Sequence, residues 1–383
     1  MSESVASKES REAAIAQGSA GRVMLEILIH GPLSRVELAE RLGLSGPSLT
    51  RITKSLLADG RLFEGEPRLR ATGRPPQPLE LDASAEHFAG VKLTADTVYS
   101  VVTDLRGTAR AEHEETLAGH APALVADAIA RSVRSLAGSF ASVDGVGISL
   151  GGNSADGLVV TESHFLEWTD VPLARLVHDR LAVPVVVAND VTALTQAQHW
   201  FGGGRGLDSL AVVTIGAGIG MGLVADGRLI IGAHGALGSI GHQPLLPSEA
   251  VCWRGHHGCA SALLTTGAVE QAALRASGRA LSYGEVLHDA EQGDPSLRAV
   301  VDEAGAALGA LLAGVTNLID PQKIVLAGEG ARLGEVAEPA MSAAFADTVA
   351  WRTVSAPIDV QPFAFNEWAR GAAAMAIRAR MLR

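Results

Sequence analysis

Residues 210–227 read LAVVTIGAGIGMGLVADG, a β-branched run followed by closely spaced glycines and a second apolar run. Similar short runs occur at residues 90–107, 143–152 and 183–190, and Ala/Leu-rich segments separate them. Short β-type segments that alternate with helical segments are typical of an α/β domain. The sequence therefore predicts an α/β fold for most of the chain.

Composition limits the possible functions. The chain has 383 residues, 47% of them hydrophobic, which is enough for two or three domains with separate cores. The formal net charge is −11, so any contact with DNA needs a locally basic patch. Two cysteines do not make a disulfide framework, and the polar N-terminus does not resemble a signal peptide. Since no apolar run reaches the roughly 18 residues of a membrane span, we expect a cytoplasmic protein without a membrane partner.

The composition and the pattern of the sequence change near residue 80. Residues 1–19 are polar and predict a disordered lead. Residues 20–80 predict helices followed by a hairpin and a linker that contains four prolines. The α/β domain occupies residues 86–383.

The front domain has the pattern of a helix-turn-helix. Ser34 and Glu37 form a capping box at the start of one helix. Gly43 supplies the turn, and Ser45 caps the next helix, with Pro47 in its first turn. With the hairpin that follows, these signals predict a winged helix-turn-helix.

The second helix of this motif offers small and basic groups to a major groove. Its outward positions are Ser48, Thr50, Arg51 and Lys54. Residues 41–79 contain seven basic and three acidic residues, a local charge of +4. Arg74, between a glycine and prolines, is a candidate for a narrow minor groove. The alternatives are a solvated basic face and a stiff linker.

The motifs of the large domain resemble those of a known family. They are GISLGGNSADGLVVTESHFLEWTDVPL, VPVVVANDVTALTQAQHWFGGGRG and VVTIGAGIGMGLVADGRLIIGAHGALGSIGH, in that order. This combination resembles the ROK family, which groups sugar kinases with transcriptional repressors that reuse the kinase fold. The resemblance implies a two-lobed actin-like ATPase fold for residues 86–383, with a sugar cleft between the lobes. It also implies that the last helix, from Phe365, returns to the first lobe.

Asn189 and Asp190 match the sugar-binding pair of the family, whose aspartate is the catalytic base of the kinases. An amide beside a carboxylate suits a polyol, because the pair both donates and accepts hydrogen bonds. The alternative is that Asp190 only caps the helix that follows. His242 is a third sugar-binding candidate by the same resemblance.

The first phosphate loop of the kinases has a different sequence here. In the family it reads Asp-x-Gly-Gly-Thr, whereas this chain has KLTAD, with Lys92 at the aspartate position and Asp96 at the end. These changes remove a carboxylate on the magnesium side and add one that repels phosphate. The segment IGAGIGMG resembles the second phosphate loop, although a glycine-rich run alone is weak evidence. We therefore expect neither ATP binding nor phosphotransfer, and no catalytic residue.

The zinc motif of the family is altered in this chain. His242, Cys252 and Cys259 keep family positions, but Arg254 replaces the middle cysteine and has no lone pair for a metal. His256 or His257 could supply the fourth ligand. The alternative is that no zinc binds and the cysteines are small buried hydrophobes. Two sugar-binding glutamates of the family are also replaced, by Ser239 and Ser261.

Together these features predict a DNA-binding transcriptional regulator, a repressor of carbohydrate metabolism that responds to a sugar or sugar derivative and is not an enzyme. A homodimer or homotetramer would place two recognition helices on a palindromic operator in double-stranded DNA. One alternative is a ligand-independent regulator whose ROK domain only oligomerises. The other is a sugar kinase with an accessory DNA-binding domain.

Overall fold

The structure is a computed structural model that describes residues 18–67, 77–138, 142–235, 237–350, 356–361 and 363–382. Internal contacts divide the chain into two compact units. The first unit contains the described residues up to Asp190, then Trp200–Gly206 and the described residues from Ala369 onward. The second contains Val191–His199 and the described residues of Leu207–Trp368. Most of the predicted disordered lead, residues 1–17, lies outside the described residues.

The first unit begins with a winged helix-turn-helix, as predicted. Its elements are α1 (18–30), α2 (Arg35–Leu42), α3 (Gly46–Ala58), β1 (Leu62–Glu64) and β2 (Leu79–Leu81). The capping box forms as expected, because the Ser34 hydroxyl accepts the Glu37 N–H and the Glu37 carboxylate accepts the Ser34 N–H. Gly43 ends α2 with φ 62°, a left-handed conformation that a glycine adopts without a side-chain clash. Strands β1 and β2 pair antiparallel as the wing.

The core of this N-terminal head (the described residues of 18–81) is continuous with the rest of the first unit. Leu38, Leu49 and Leu79 are almost completely buried. The same apolar cluster includes large-domain side chains, namely Phe88, Leu105, Trp200, Ala376, Ile377 and Met381. The head is therefore packed into the first unit rather than tethered to it.

A five-stranded sheet organises the remainder of the first unit, with the order β5-β4-β3-β6-β9. Its strands are β3 (His87–Leu93), β4 (Thr97–Asp104), β5 (Ala109–Thr116), β6 (Gly145–Leu150) and β9 (Val185–Asn189). A separate hairpin consists of β7 (Val160–Ser163) and β8 (Trp168–Val171), and the helices are α4 (Pro122–Ala137) and α5 (Leu173–Leu181). β3, β6 and β9 run parallel, so their carboxyl ends lie at one edge of the sheet.

The second unit contains a sheet of matching topology, with the order β12-β11-β10-β13-β14. Its strands are β10 (Leu210–Ile215), β11 (Ile219–Ala225), β12 (Arg228–Ile230), β13 (Lys323–Ala327) and β14 (Ile358–Val360). The helices are α7 (Ala260–Leu264), α8 (Thr266–Ser277), α9 (Tyr283–Glu291), α10 (Pro295–Ile319), α11 (Leu333–Val336) and α12 (Glu338–Thr348). Both sheets join an antiparallel three-stranded meander to two further parallel strands, so the α/β prediction is confirmed.

Two helices have residues in both units. They are α6 (Asp190–Phe201) and α13 (Glu367–Met381). From Ala369 onward α13 belongs to the first unit, as the family resemblance implied. It packs closely on the first sheet, because a side chain at Gly90 or Gly147 would overlap the backbone of α13. Its end reaches the N-terminal head, where the Met381 carbonyl lies against Gly21 of α1.

An ion-pair cluster also joins α13 to the head. The Glu86 carboxylate accepts from Arg61 at 2.6 Å and from Arg380 at 2.9 Å. Glu86 is only 8% exposed, and burial raises the pKa of its carboxyl although Arg61 acts in the opposite direction. Because Arg61 precedes the wing, the cluster connects the wing, the large domain and α13.

Helix α10 is the one helix of the described chain that has the length and apolar composition of a membrane span. The sequence has no unbroken apolar run of that length, because charged residues interrupt the first half of this helix. Averaged over its best window, however, the mean hydropathy of α10 is 1.4. In the structure 61% of that window is buried within the protein. Its apolar side chains belong to the core of the second unit, as expected of a central core helix.

Candidate functional site

Helix α3 presents the predicted DNA-binding side chains. Thr50, Arg51 and Lys54 are exposed, and Ser48 is half-buried at the start of the helix. The Thr50 hydroxyl donates to the Gly46 carbonyl at 2.8 Å, so its oxygen still accepts. Neither Arg51 nor Lys54 forms an ion pair with another described residue. This face of α3 therefore exposes positive charge to solvent. Arg74, the predicted minor-groove residue, lies outside the described residues.

Sequence reasoning missed the residue that fixes the wing beside this face. The Arg35 guanidinium pairs with Glu64 at 2.9 Å and donates to the Thr53 hydroxyl at 3.3 Å. One arginine thus joins α2, α3 and the first wing strand. This contact has no local sequence signal, since the three residues are far apart in the chain.

The predicted sugar-binding pair lies at the carboxyl edge of the first sheet. Asn189 is the last residue of β9 and Asp190 the first of α6. The Asn189 side-chain amide donates to the Gly152 carbonyl at 3.0 Å, in the glycine turn after β6. This bond fixes the amide next to Asp190.

Lys92 lies on β3 and its ammonium is bound directly to the Asp190 carboxylate. Lys92 is 7% exposed, so the pair is largely shielded from water. The sequence showed that Lys92 replaces the family aspartate but did not indicate this contact. The Lys92 ammonium thus occupies an Asp190 oxygen that a substrate hydroxyl would otherwise approach.

An aromatic ring adjoins this pair in the first unit. A side chain at Gly151 would lie 3.0 Å from the Phe165 ring and 3.9 Å from the Asp190 carboxylate. Phe165 is 51% exposed, so its ring is open to solvent. An exposed ring beside hydrogen-bonding groups can cover the apolar face of a sugar. No sequence motif indicated a role for Phe165.

The loop after β3 satisfies its own backbone. The Thr94 hydroxyl accepts from the N–H groups of Asp96 and Thr97, at 3.4 and 3.0 Å. The Asp96 carboxylate accepts from the hydroxyls of Thr94 and Thr97, and the Thr94 hydroxyl contributes most to holding its pKa below the ordinary value. The loop thus presents a carboxylate where the kinases have glycine-rich backbone.

The glycine turn between β10 and β11 is also occupied from within. The Glu329 carboxylate accepts from the Ala217 N–H at 3.3 Å and lies directly against Gly216. A backbone N–H that faces a carboxylate is not open to a phosphate oxygen. Glu329 follows β13, and the sequence gave no sign that it would meet this turn.

Four side chains of the second unit form a candidate metal centre. The ligand atoms of His242, Cys252, His256 and Cys259 all lie within 4.8 Å of one another. His242 Nδ1 and Cys252 Sγ are 3.6 Å apart. Ligand atoms around tetrahedral zinc are roughly 3.3–3.8 Å apart, so a small contraction would accommodate the ion. His256 fills the position that Arg254 leaves without a ligand.

The chemistry of these side chains suits a cation. Burial lowers the pKa of His242, with His256 and Arg254 adding to the effect, which favours the neutral imidazole that a metal needs. Burial would raise the pKa of Cys252, but backbone hydrogen bonds, foremost from His256, lower it below the ordinary value. Burial raises the pKa of the Cys259 thiol, which a bound cation would oppose.

His257 and Arg254 of this loop are not among the four candidate ligands. His257 is not part of the group, and its backbone pairs with Val251 in an isolated bridge. The Arg254 guanidinium lies over the ring of Trp253 at 5.3 Å, at an exposed loop tip.

His242 ends a short 3-10 turn, Ile240–His242, that Ser239 precedes. The Ser261 hydroxyl adjoins this turn, because a side chain at Gly241 would lie 2.8 Å from it. His242 and Ser261 are thus neighbours in the second unit, whereas Asn189 and Asp190 belong to the first.

Known proteins resemble this chain over most of its length. The sequence model of the ROK family matches residues 88–379. The DNA-binding transcriptional dual regulator NagC of Escherichia coli K12 is 28% identical over 332 residues, which are 82% of this chain and 80% of that protein. The DNA-binding transcriptional repressor Mlc of the same strain is 26% identical over 344 residues, or 86% and 85% of the two chains.

Two solved structures share the fold. A ROK family transcriptional regulator described as a homologue of E. coli Mlc superimposes with a TM-score of 0.83 and 24% identity, over 96% of this chain and 97% of that one. A ROK family glucokinase from Streptomyces griseus, in complex with glucose and AMPPNP, superimposes with a TM-score of 0.67 and 24% identity. That match covers 76% of this chain and 99% of the glucokinase.

Proposed function

The chain belongs to the ROK family, and from this membership we propose that it is a DNA-binding transcriptional repressor of carbohydrate metabolism that responds to a sugar or sugar derivative. The observation that carries the proposal is the combination of two features in one chain. An exposed basic helix, α3, is packed onto a ROK domain that keeps the Asn189–Asp190 pair. Relatives named as regulators cover most of the chain.

We propose further that the ROK domain is not an enzyme. Three contacts support this. Lys92 binds the carboxylate that would be the base, the loop after β3 uses its N–H groups internally, and Glu329 faces the glycine turn of the second unit. Phosphoryl transfer depends on electrostatic stabilisation of the transferred group. In this chain an ammonium occupies the carboxylate of the base, and the backbone N–H groups that would face phosphate are bonded to other groups of the protein.

The ligand-independent regulator remains a second candidate, and a specific observation favours it. The Lys92 ammonium already satisfies Asp190, and Ser239 and Ser261 provide no charge for a sugar hydroxyl. In that case the ROK domain would only oligomerise. The exposed Phe165 ring beside Asp190 favours the sugar-responsive function instead.

We propose that zinc is the ion of the metal centre, held by His242, Cys252, His256 and Cys259. Two sulfur and two nitrogen donors form a common structural zinc set, and the fit of the donor atoms supports it. When bound, zinc would cross-link the 3-10 turn, the loop and the start of α7. It would then orient His242, whose Nδ1 faces Cys252, so that Nε2 could serve a sugar hydroxyl.

The regulator would act in the cytoplasm as a homodimer or homotetramer. Two protomers would place two α3 helices on the half-sites of a palindromic operator. A sugar that prefers one arrangement of the chain would change operator affinity, and by linkage the operator would change sugar affinity equally. The direction of the effect, release or tighter binding, would depend on which arrangement binds DNA.

The first experiment selects operator sequences from random double-stranded DNA with the full-length protein. We expect a palindromic consensus. Arg51→Ala should then weaken operator binding by about 1–3 kcal/mol, whereas Arg228→Ala, an exposed arginine in the second unit, should leave it unchanged. Failure to enrich any sequence would refute the DNA-binding proposal.

The second experiment measures thermal unfolding of the protein with sugars, amino sugars and sugar phosphates. A ligand at about 100 times its Kd should add about 2.7 kcal/mol to the free energy of unfolding. The double variant Lys92→Met/Asp190→Asn should lose this gain, since it removes both charges without leaving one buried alone. No gain with any sugar would shift the assignment to the ligand-independent regulator. ADP release with hexoses and ATP would contradict the non-enzymatic proposal.

A further inference from the structure

A cavity of about 300 Å³ lies within the first unit, between the DNA-binding head and the large domain. Ile27 and Leu28 of α1, Leu81 of the wing, and Trp200 and Phe201 at the end of α6 form its apolar walls. Because these segments are distant in sequence, only the folded unit creates the cavity. Its volume is near the lower limit for ligand pockets and equals roughly ten water molecules.

Two arginines complete the lining, Arg106 from the β4–β5 turn and Arg205 from the segment after α6. The Arg205 Nε donates to the Ile29 carbonyl at 2.5 Å, which holds its guanidinium beside α1. Gly107, with φ 68°, lets the turn that carries Arg106 pack directly on the Phe201 ring. The fold thus holds the backbone of Arg106 and the guanidinium of Arg205 at the cavity.

The charge of these two arginines is not balanced by nearby acids. No carboxylate of a described residue lies within ion-pair distance of Arg106 or Arg205. In contrast, Arg110 on the adjacent strand pairs with Asp104 at 2.7 Å, and Arg61 pairs with Glu86. In a chain of net charge −11, two uncompensated guanidinium groups beside one apolar cavity form a local anion-attracting site.

We propose that this cavity binds a small organic anion, a carboxylate carried on a compact aromatic or branched aliphatic body. Guanidinium groups recognise carboxylates through paired, charge-assisted hydrogen bonds. The walls around Trp200 and Phe201 would remove the apolar body from water. A DNA phosphate would need the arginines but not the apolar walls, so the lining favours a small molecule. The site is distinct from the Asn189–Asp190 pair and takes a different chemical class of ligand.

Occupancy of the cavity would affect the head directly. The bound anion would contact α1 and the wing on one side, and the β4–β5 turn and α6 on the other. It would therefore stabilise one position of the head on the first unit. Where the head binds DNA, as proposed above, anion and operator would influence each other's affinity reciprocally.

Isothermal titration of the full-length protein with salicylate and benzoate tests the site, with benzyl alcohol as an uncharged probe of similar size. We expect saturable binding of the two anions with Kd values of about 1 mM or below, and none of benzyl alcohol. Arg106→Gln and Arg205→Gln should each weaken binding about tenfold or more. Arg228→Gln is the matched control and should bind as the wild type does.

Absence of saturable binding of both anions, equal binding of benzyl alcohol, or undiminished binding by Arg106→Gln would each overturn the proposal. Arg106 is exposed and its side chain holds no other described group, so its variant should fold, which a thermal unfolding curve without ligand checks. The titration uses neither DNA nor sugar. Its failure would therefore leave the proposed regulator intact, and failure of the operator selection would leave the anion site intact.

Discussion

Removal of one partner of the Lys92–Asp190 pair should destabilise the protein by about 3–5 kcal/mol, because the remaining charge would lose its ion-pair partner at a largely buried site. The side chains of Lys92 and Asp190 are only 8% and 15% exposed, so water cannot replace the lost partner. Both Lys92→Met and Asp190→Asn should show this cost. The double variant should return to within about 1–2 kcal/mol of the wild type, since it leaves no lone charge.

Urea denaturation, followed by tryptophan fluorescence and circular dichroism, measures the free energy of unfolding of the wild type, the two single variants and the double variant. Arg175→Gln is the control, because Arg175 and Asp179 are 82% and 58% exposed and their pair should contribute less than about 0.5 kcal/mol. A Lys92→Met cost no larger than that of Arg175→Gln would refute the reasoning. So would a double variant whose cost equals the sum of the single costs.

Three further predictions address the metal, the ion-pair cluster and the last helix. His256→Ala should lower the zinc content measured by atomic absorption and abolish the loss of thermal stability on chelation, whereas His257→Ala should change neither. The free energy of unfolding of the wild type should rise relative to that of Glu86→Gln as pH falls from neutrality toward 4.5. The pKa of Glu86 is raised in the folded state, so the folded protein takes up the proton at a higher pH than the unfolded chain does. A difference between the two proteins that stays constant across this pH range would contradict the prediction. Gly147→Ala should cost about 3 kcal/mol in urea unfolding through its clash with the Ala372 carbonyl, while Gly284→Ala, in open space within α9, should gain up to about 1 kcal/mol.

The parts of the fold that depend on neighbouring residues were predictable from the sequence. The Ser34–Glu37 capping box and the turn at Gly43 involve contacts within a few positions, and they form as the residue types indicated. The alternation of β-branched and helical segments likewise predicted the α/β architecture. The family motifs predicted where Asn189 and Asp190 would lie, at the end of one strand and the start of a helix.

The contacts that determine the chemistry of the sites were not predictable in the same way. Lys92 and Asp190 are 98 positions apart, and Glu329 is 112 positions from Ala217. No local pattern indicates that such side chains will meet, because the tertiary fold brings them together. The choice of His256 over His257 depends on the backbone, since the bridge between Val251 and His257 turns adjacent side chains to opposite sides.

The packing of α13 against α1 has a consequence for biosynthesis. The ribosome makes the helix-turn-helix first, but Ile377 and Met381, which complete its apolar core, emerge more than three hundred residues later. Until then the nascent head lacks part of its buried surface, and contacts between such distant segments form slowly. A chain that is interrupted or fails to fold in its second half would therefore leave no stable DNA-binding fragment. Operator occupancy would thus be restricted to molecules that have also built the domain that regulates them.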